Sequence, residues 1–169
     1  METNLFSRRS ALAALGLAAL APGCASTASG PALYRKFRAV QIDVKPLAAF
    51  DPFSASVIAE ATPQWIPRYY GSYLAPGDAS APVLVLRYEQ LSFGVAGSAN
   101  APYGNGAMDY VTGEGVVLGP GGRTLSTYPL TCSLYTNVDE NDVSGAYTRN
   151  RIASLGQALA QFMPGKLGL

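Results

Sequence analysis

Val83-Leu84-Val85-Leu86, set between Pro82 and Arg87, is the stretch that most limits what this chain can fold into. Side chains alternate between the two faces of a strand, so four apolar residues in a row need cover on both faces. That places the segment in the middle of a sheet, and its drift toward Glu89-Gln90 marks the strand running out toward solvent. Its neighbours follow from the same rule. Residues 40–45 alternate apolar and polar, which predicts a half-buried strand stopped by Pro46. Strand signals return over residues 108–118, turn at residues 119–122 and continue over 124–135, a hairpin.

Two helices complete the pattern. Asp51-Pro52 reads as an N-cap followed by proline at the first helical position, and the helix runs on through Val57 and Ile58. Pro63 and Pro67 are expected to break or kink it near Trp65, Tyr69, Tyr70 and Tyr73. A second helix is expected after the acidic residues 139–142, ending near Met163 ahead of Pro164-Gly165, with Tyr147, Leu155, Leu159 and Phe162 on one apolar face. The order β-α-β-β-β-α predicts an α+β two-layer sandwich, a mainly antiparallel sheet with the helices on one face.

The amino-terminal segment has a different character. Arg8 and Arg9 precede a run from Ala11 to Ala21 that is apolar apart from Gly16 and is closed by Pro22-Gly23. A membrane-spanning helix needs about 20 apolar residues, so this run is too short to cross and fits the apolar region of an export signal, residues 1–23. Leu20-Ala21-Pro22-Gly23-Cys24 resembles a bacterial lipobox, which implies cleavage before Cys24 and a diacylglyceryl thioether on its sulfur. Ser26-Thr27-Ala28 offers ordinary signal peptidase a small-x-small site instead, leaving a soluble periplasmic protein. Residues 7–12, with Arg8-Arg9, also resemble a twin-arginine signal, although any basic pair serves a general export signal equally well. Residues 24–33 are small and polar, a flexible tether, and residues 34–169 form one domain.

Lipid on Cys24 leaves Cys132 without an intrachain partner, since the sequence holds two cysteines. Tyr128, Leu130, Cys132 and Leu134 alternate with polar or turn-forming residues, so Cys132 is expected on the buried face of a strand as a reduced, inert thiol. No histidine is present to lower its pKa, and that absence also removes Ser-His-Asp triads and the common zinc sites. Asp109 and Glu114 are separated by an odd number of positions and so face opposite sides of a regular strand, which argues against a carboxylate pair working on one substrate. Gly104-Asn105-Gly106 is half of a phosphate-loop pattern with no Gly-Lys-Ser/Thr after it. Neither a catalytic residue, a cofactor nor a metal is expected.

The sequence has 12 basic and 11 acidic residues; without Arg8, Arg9 and Glu2 ten of each remain, and a neutral domain does not suit nucleic acid. The local cluster Arg35, Lys36 and Arg38 follows the tether, at a solvated strand end or against lipid headgroups. Trp65, Tyr69 and Tyr73 have helical spacing, which favours core packing over an aromatic platform. Residues 94–106 form a long glycine-rich loop, expected to bind a partner together with the adjacent sheet edge.

A lipobox-like signal followed by this element order resembles the small envelope lipoproteins of Gram-negative bacteria, among them lipopolysaccharide-assembly lipoproteins and auxiliary lipoproteins of ABC transporters. The resemblance implies a non-catalytic accessory, anchored through Cys24 and facing the periplasm, that docks on larger envelope proteins. With Ala25 and Ser26 after the cysteine it implies sorting to the outer membrane. The alternative is a soluble periplasmic binder of small ligands. An enclosed cavity lined by aromatic residues favours that alternative, and a flat patch or open strand edge favours protein partners.

Overall fold

The computed structural model describes residues 34–94, 106–137 and 145–169. Strand β1 (Ala39–Asp43) is followed by helices α1 (Lys45–Ala48), α2 (Pro52–Ala61) and α3 (Ile66–Tyr70), then by strands β2 (Val83–Ser92), β3 (Gly106–Leu118) and β4 (Thr124–Asn137), and by helix α4 (Ala146–Leu167). The sheet has the order β1-β2-β3-β4. β1 pairs with β2 in parallel, so the chain between them must cross back over the sheet, and α1 to α3 make that crossing. The other pairings are antiparallel, and the helices pack on one face of the sheet as the sequence predicts.

Local chemistry sets most boundaries. The Asp51 carboxylate accepts from the Ser54 amide at 3.0 Å and caps α2, with Pro52 at its first position. Pro63 and Pro67 break the helical run into a tighter turn over Thr62–Trp65 and then α3. The expected strand to Lys45 stops at Asp43, whose carboxylate accepts the Lys45 amide at 3.1 Å, while Pro46 opens α1 instead of only ending a strand. Gly121 and Gly122 at the β3–β4 turn have φ of 78° and 79°, a backbone that side-chain-bearing residues rarely adopt.

Leu84, Leu86 and Tyr88 of β2, Val111 and Val117 of β3, and Leu130 and Cys132 of β4 face the helices, where they meet Leu47, Ile58, Tyr70, Ile152, Leu155, Leu159 and Met163. β3 carries two glycines on this face. A Cβ on Gly113 would lie 2.2 Å from the Arg87 carbonyl oxygen and 2.8 Å from Leu159, and one on Gly115 would lie 2.6 Å from the Met163 sulfur. One helical turn and two strand residues both advance about 6 Å, so Leu159 and Met163 drop onto Gly113 and Gly115 in register. Gly156 keeps the other side of α4 close to α2, since a Cβ there would come within 2.9 Å of the Thr62 hydroxyl and 3.2 Å of Ile58.

α4 does not end at Met163 as expected. It runs through Pro164 to Leu167 and closes on Gly168, whose φ is 75°. Proline at position 164 supplies no amide for the carbonyl of Ala160 one turn earlier, which in a buried helix is normally expensive. The Tyr70 hydroxyl donates to that carbonyl at 3.0 Å, and the Tyr88 hydroxyl donates to the Gly156 carbonyl at 2.8 Å. Burial pushes both phenols well above their ordinary pKa, so they remain protonated donors.

Two outcomes follow. Gly113→Ala should lower stability by about 1–3 kcal/mol in chemical denaturation, because the clash is with backbone that cannot rotate away. Tyr70→Phe should cost about 1–2 kcal/mol in the parent but clearly less in a Pro164→Ala background, where the restored amide serves Ala160. Equal losses in both backgrounds would mean that the hydroxyl does not stand in for the missing amide.

Candidate functional site

The parallel β1–β2 pair fixes two opposite poles. The described residues begin at Tyr34, close to Phe37, which bridges to Leu74, and β1 begins at Ala39 opposite Val83. Arg35 and Lys36 line an open cleft of about 310 Å³ at this pole with Ser72 and Tyr73, and the Lys36 ammonium donates to the Ser72 carbonyl at 2.6 Å. At the other pole, β2 ends, β3 begins and the corner between α1 and α2 turns. Val83 and Ser92 are separated by roughly 30 Å of strand.

The far pole carries three exposed phenylalanines: Phe50, 87% exposed, Phe53, 50%, and Phe93, 37%. The Arg149 guanidinium lies 6.0 Å from the Phe53 ring and pairs with Glu60 at 3.0 Å, and Arg151 lies 5.2 Å from the Phe93 ring. A second open cleft, of about 360 Å³, is lined there by Leu47, Phe50, Asp51, Glu89, Gln90 and Leu91.

Beneath this surface lies a buried ionic knot. Asp109 of β3 is fully buried and is held by one edge of the Arg151 guanidinium in a fork, Nε donating to Oδ2 and Nη2 to Oδ1. The Thr136 hydroxyl donates to Oδ2 at 2.7 Å and the Gly94 amide to Oδ1 at 3.1 Å, while Arg151 Nη2 also donates to the Gly94 carbonyl at 2.8 Å. The hydrogen bonds to Asp109 raise the Arg151 pKa, outweighing its partial desolvation. A buried carboxylate is tolerable only when paired and fully hydrogen-bonded, and this one joins the end of β2, β3, β4 and α4. It therefore fixes the roots of the chain segments that leave this pole.

Other sequence expectations resolve around this frame. Asp109 and Glu114 do face opposite sides: Glu114 accepts from Arg87 at 2.7 Å on the helix-free face, where Asp43 also meets Arg87 at 3.1 Å. Each carboxylate is committed to an arginine. The aromatic group divides: Tyr70, outside the Trp65, Tyr69 and Tyr73 spacing, lies in the core, while Tyr69 and Tyr73, which that spacing assigned to the core, pack half-buried against its margin. Trp65 stacks on Tyr69 at 6.2 Å with Arg68 5.9 Å from both rings, a partly exposed edge of the helical layer. Residues 95–105 of the glycine-rich loop, the acidic residues 139–142 and Cys24 lie outside the described residues.

Cys132 is fully buried, as its alternation requires, but it is disulfide-bonded and not the reduced thiol expected. The expectation rested on assigning Cys24 to lipid. With two cysteines in the sequence, a thioether at Cys24 and an intrachain disulfide at Cys132 exclude one another.

No protein-family model matches the chain, and no curated protein matches it. Solved structures resembling it include a minor lipoprotein from Acinetobacter baumannii, 16% identical, TM-score 0.43, covering 78% of this chain and 92% of that one. Rare lipoprotein B from Shewanella oneidensis is 11% identical, TM-score 0.37, covering 74% and 92%. The PelC dodecamer from Paraburkholderia phytofirmans is 15% identical, TM-score 0.44, covering 83% and 93%. Identities this low carry no residue of those proteins onto this sequence.

The knot makes a direct forecast. Arg151→Ala strands a buried carboxylate and should cost about 3–5 kcal/mol. Hydrogen exchange should accelerate first at Gly94 and Thr136. Arg151→Lys should recover only part of the loss, because an ammonium cannot hold both carboxylate oxygens in a fork.

Proposed function

We propose that this chain is a lipid-anchored, periplasm-facing envelope protein that works by binding protein partners, without catalytic turnover. The polarity of the domain carries the reading. Arg35 and Lys36, at the start of the described residues, occupy one pole, and the exposed phenylalanines occupy the other. An anchor at Cys24, which requires Cys132 to be reduced in the anchored form and not disulfide-bonded as in the structure, would bring Arg35, Lys36 and Arg38 toward anionic headgroups and turn Phe50, Phe53 and Phe93 away from the bilayer, into reach of other envelope proteins. Among the described residues no helix is long and apolar enough to cross a membrane.

Non-catalytic action fits the titratable groups. Asp43, Asp109 and Glu114 are bound to arginines. The two clefts formed by the described residues are open surface features without an enclosed aromatic lining, which supports protein partners at these places over a small ligand. Assignment to the outer membrane, and to an assembly or transport system, is part of the same proposal through the resemblance to small envelope lipoproteins.

The test is the mature amino terminus. Intact mass and peptide mapping should find diacylglycerol on Cys24, the lipidated protein should expose one alkylatable thiol after denaturation, and Cys24→Ser should accumulate as uncleaved precursor. A mature chain beginning at Ser29, unacylated, would overturn the anchor, as would a chain that keeps Cys24 without acyl groups and shows no alkylatable thiol because its two cysteines are paired. Partner binding is read separately, by co-purification from membranes with a carboxy-terminal tag. Recovery should fall when residues 98–105 are replaced by a Gly-Ser linker while the thermal midpoint is kept.

A further inference from the structure

β1 is five residues long and β2 is ten. Their pairing ends at Asp43 opposite Arg87, after which the chain turns into α1. Among the described residues, no strand lies against the outer side of β2 from Tyr88 to Ser92. Every second residue of a strand turns its N–H and C=O to a given side, so this stretch presents unpaired backbone groups along about 15 Å. The 360 Å³ cleft lies beside it: Glu89, Gln90 and Leu91 come from the open strand, and Leu47, Phe50 and Asp51 from the α1–α2 corner.

The walls of this vacancy differ in chemistry. Leu91 pairs with Val111, whose side chain is on the helix face, so Leu91 points the same way and joins Leu47 and Phe50 as an apolar wall. Phe50 stands 87% exposed at its rim, where water alone meets a large apolar ring. The charges bordering it are acidic: Asp51 is partly engaged in capping α2, while Glu89 is exposed at a register shift between Tyr88 and Gln90. That bulge twists the edge, which opposes a long flat strand and leaves room for a short one.

We propose that the open edge of β2 from Tyr88 to Ser92 accepts a short extended segment of a partner protein as an added strand, one that alternates apolar and basic side chains. Its backbone takes up the free N–H and C=O groups where β1 stops. Its apolar side chains enter the wall of Leu47, Phe50 and Leu91, and its basic ones, on alternate positions, lie within reach of the exposed Glu89. This deepens the reading of the chain as a protein-binding module and does not depend on the anchor.

The probe is an end-blocked heptapeptide alternating valine and lysine, with a valine–glutamate heptapeptide as its opposite, titrated into the full chain in detergent. The lysine peptide should bind saturably and about tenfold or more tighter than the glutamate peptide, and it should slow amide exchange within residues 88–92. Glu89→Lys should reverse the order of the two peptides, and Phe50→Ala should weaken binding by about tenfold; both positions are exposed, so the fold should be retained. Absence of saturable binding, equal affinity for both peptides, or binding without protection of residues 88–92 overturns the proposal. A free chain that sediments as a dimer with this edge already protected also overturns it, in favour of a second copy. If the peptides fail while membrane co-purification still returns a partner, only this inference falls.

Discussion

The close seat of α4 on β3 is the constraint from which the rest of the domain follows. A helix rests about 10 Å above a sheet when ordinary side chains separate them, and Gly113 and Gly115 remove that spacer. Leu159 and Met163 fill the space, and Gly156 lets α2 approach from the other side. So tight a helix has its carbonyls shut off from water. The two fully buried tyrosines therefore act as hydrogen-bond donors to α4 as well as core filler.

Seating α4 in this way sets the direction of the whole molecule. Its amino-terminal half carries Arg149 and Arg151 to the pole where β2 ends, and its carboxy-terminal turn comes back beside Arg35, Lys36 and Tyr73. The Asp109–Arg151 pair then ties α4 to the sheet at the far pole, where the backbone of Gly94 and the hydroxyl of Thr136 complete the carboxylate's partners. A rigid floor under an exposed apolar surface suits binding, since little ordering entropy remains to be lost when a partner arrives. An intrachain disulfide at Cys132 and a thioether at Cys24 compete for the one sulfur of Cys24, so lipidation and the redox state of the core are chemically linked in this chain.

Much of this was legible in the sequence because it is local. The apolar run at 83–86, the alternation around Cys132 and the Asp51-Pro52 cap each act within a few residues of themselves, and the β-α-β-β-β-α order and one-sided helical layer follow from them. The odd spacing of Asp109 and Glu114 set them on opposite faces for the same reason. Tertiary contacts decided the rest. Pro164 looked like a stop because a proline leaves a carbonyl unpaired, and only Tyr70, 90 residues away from Ala160, supplies the donor that lets α4 continue. Asp109 read as a scattered carboxylate until the fold laid Arg151 across it. The open edge of β2 is a difference in length between two strands meeting across a helical crossover, and no stretch of sequence encodes a difference of that kind. Periodicity thus determined which face each side chain takes, while the packing of distant segments decided which polar groups are satisfied and which edge is left open.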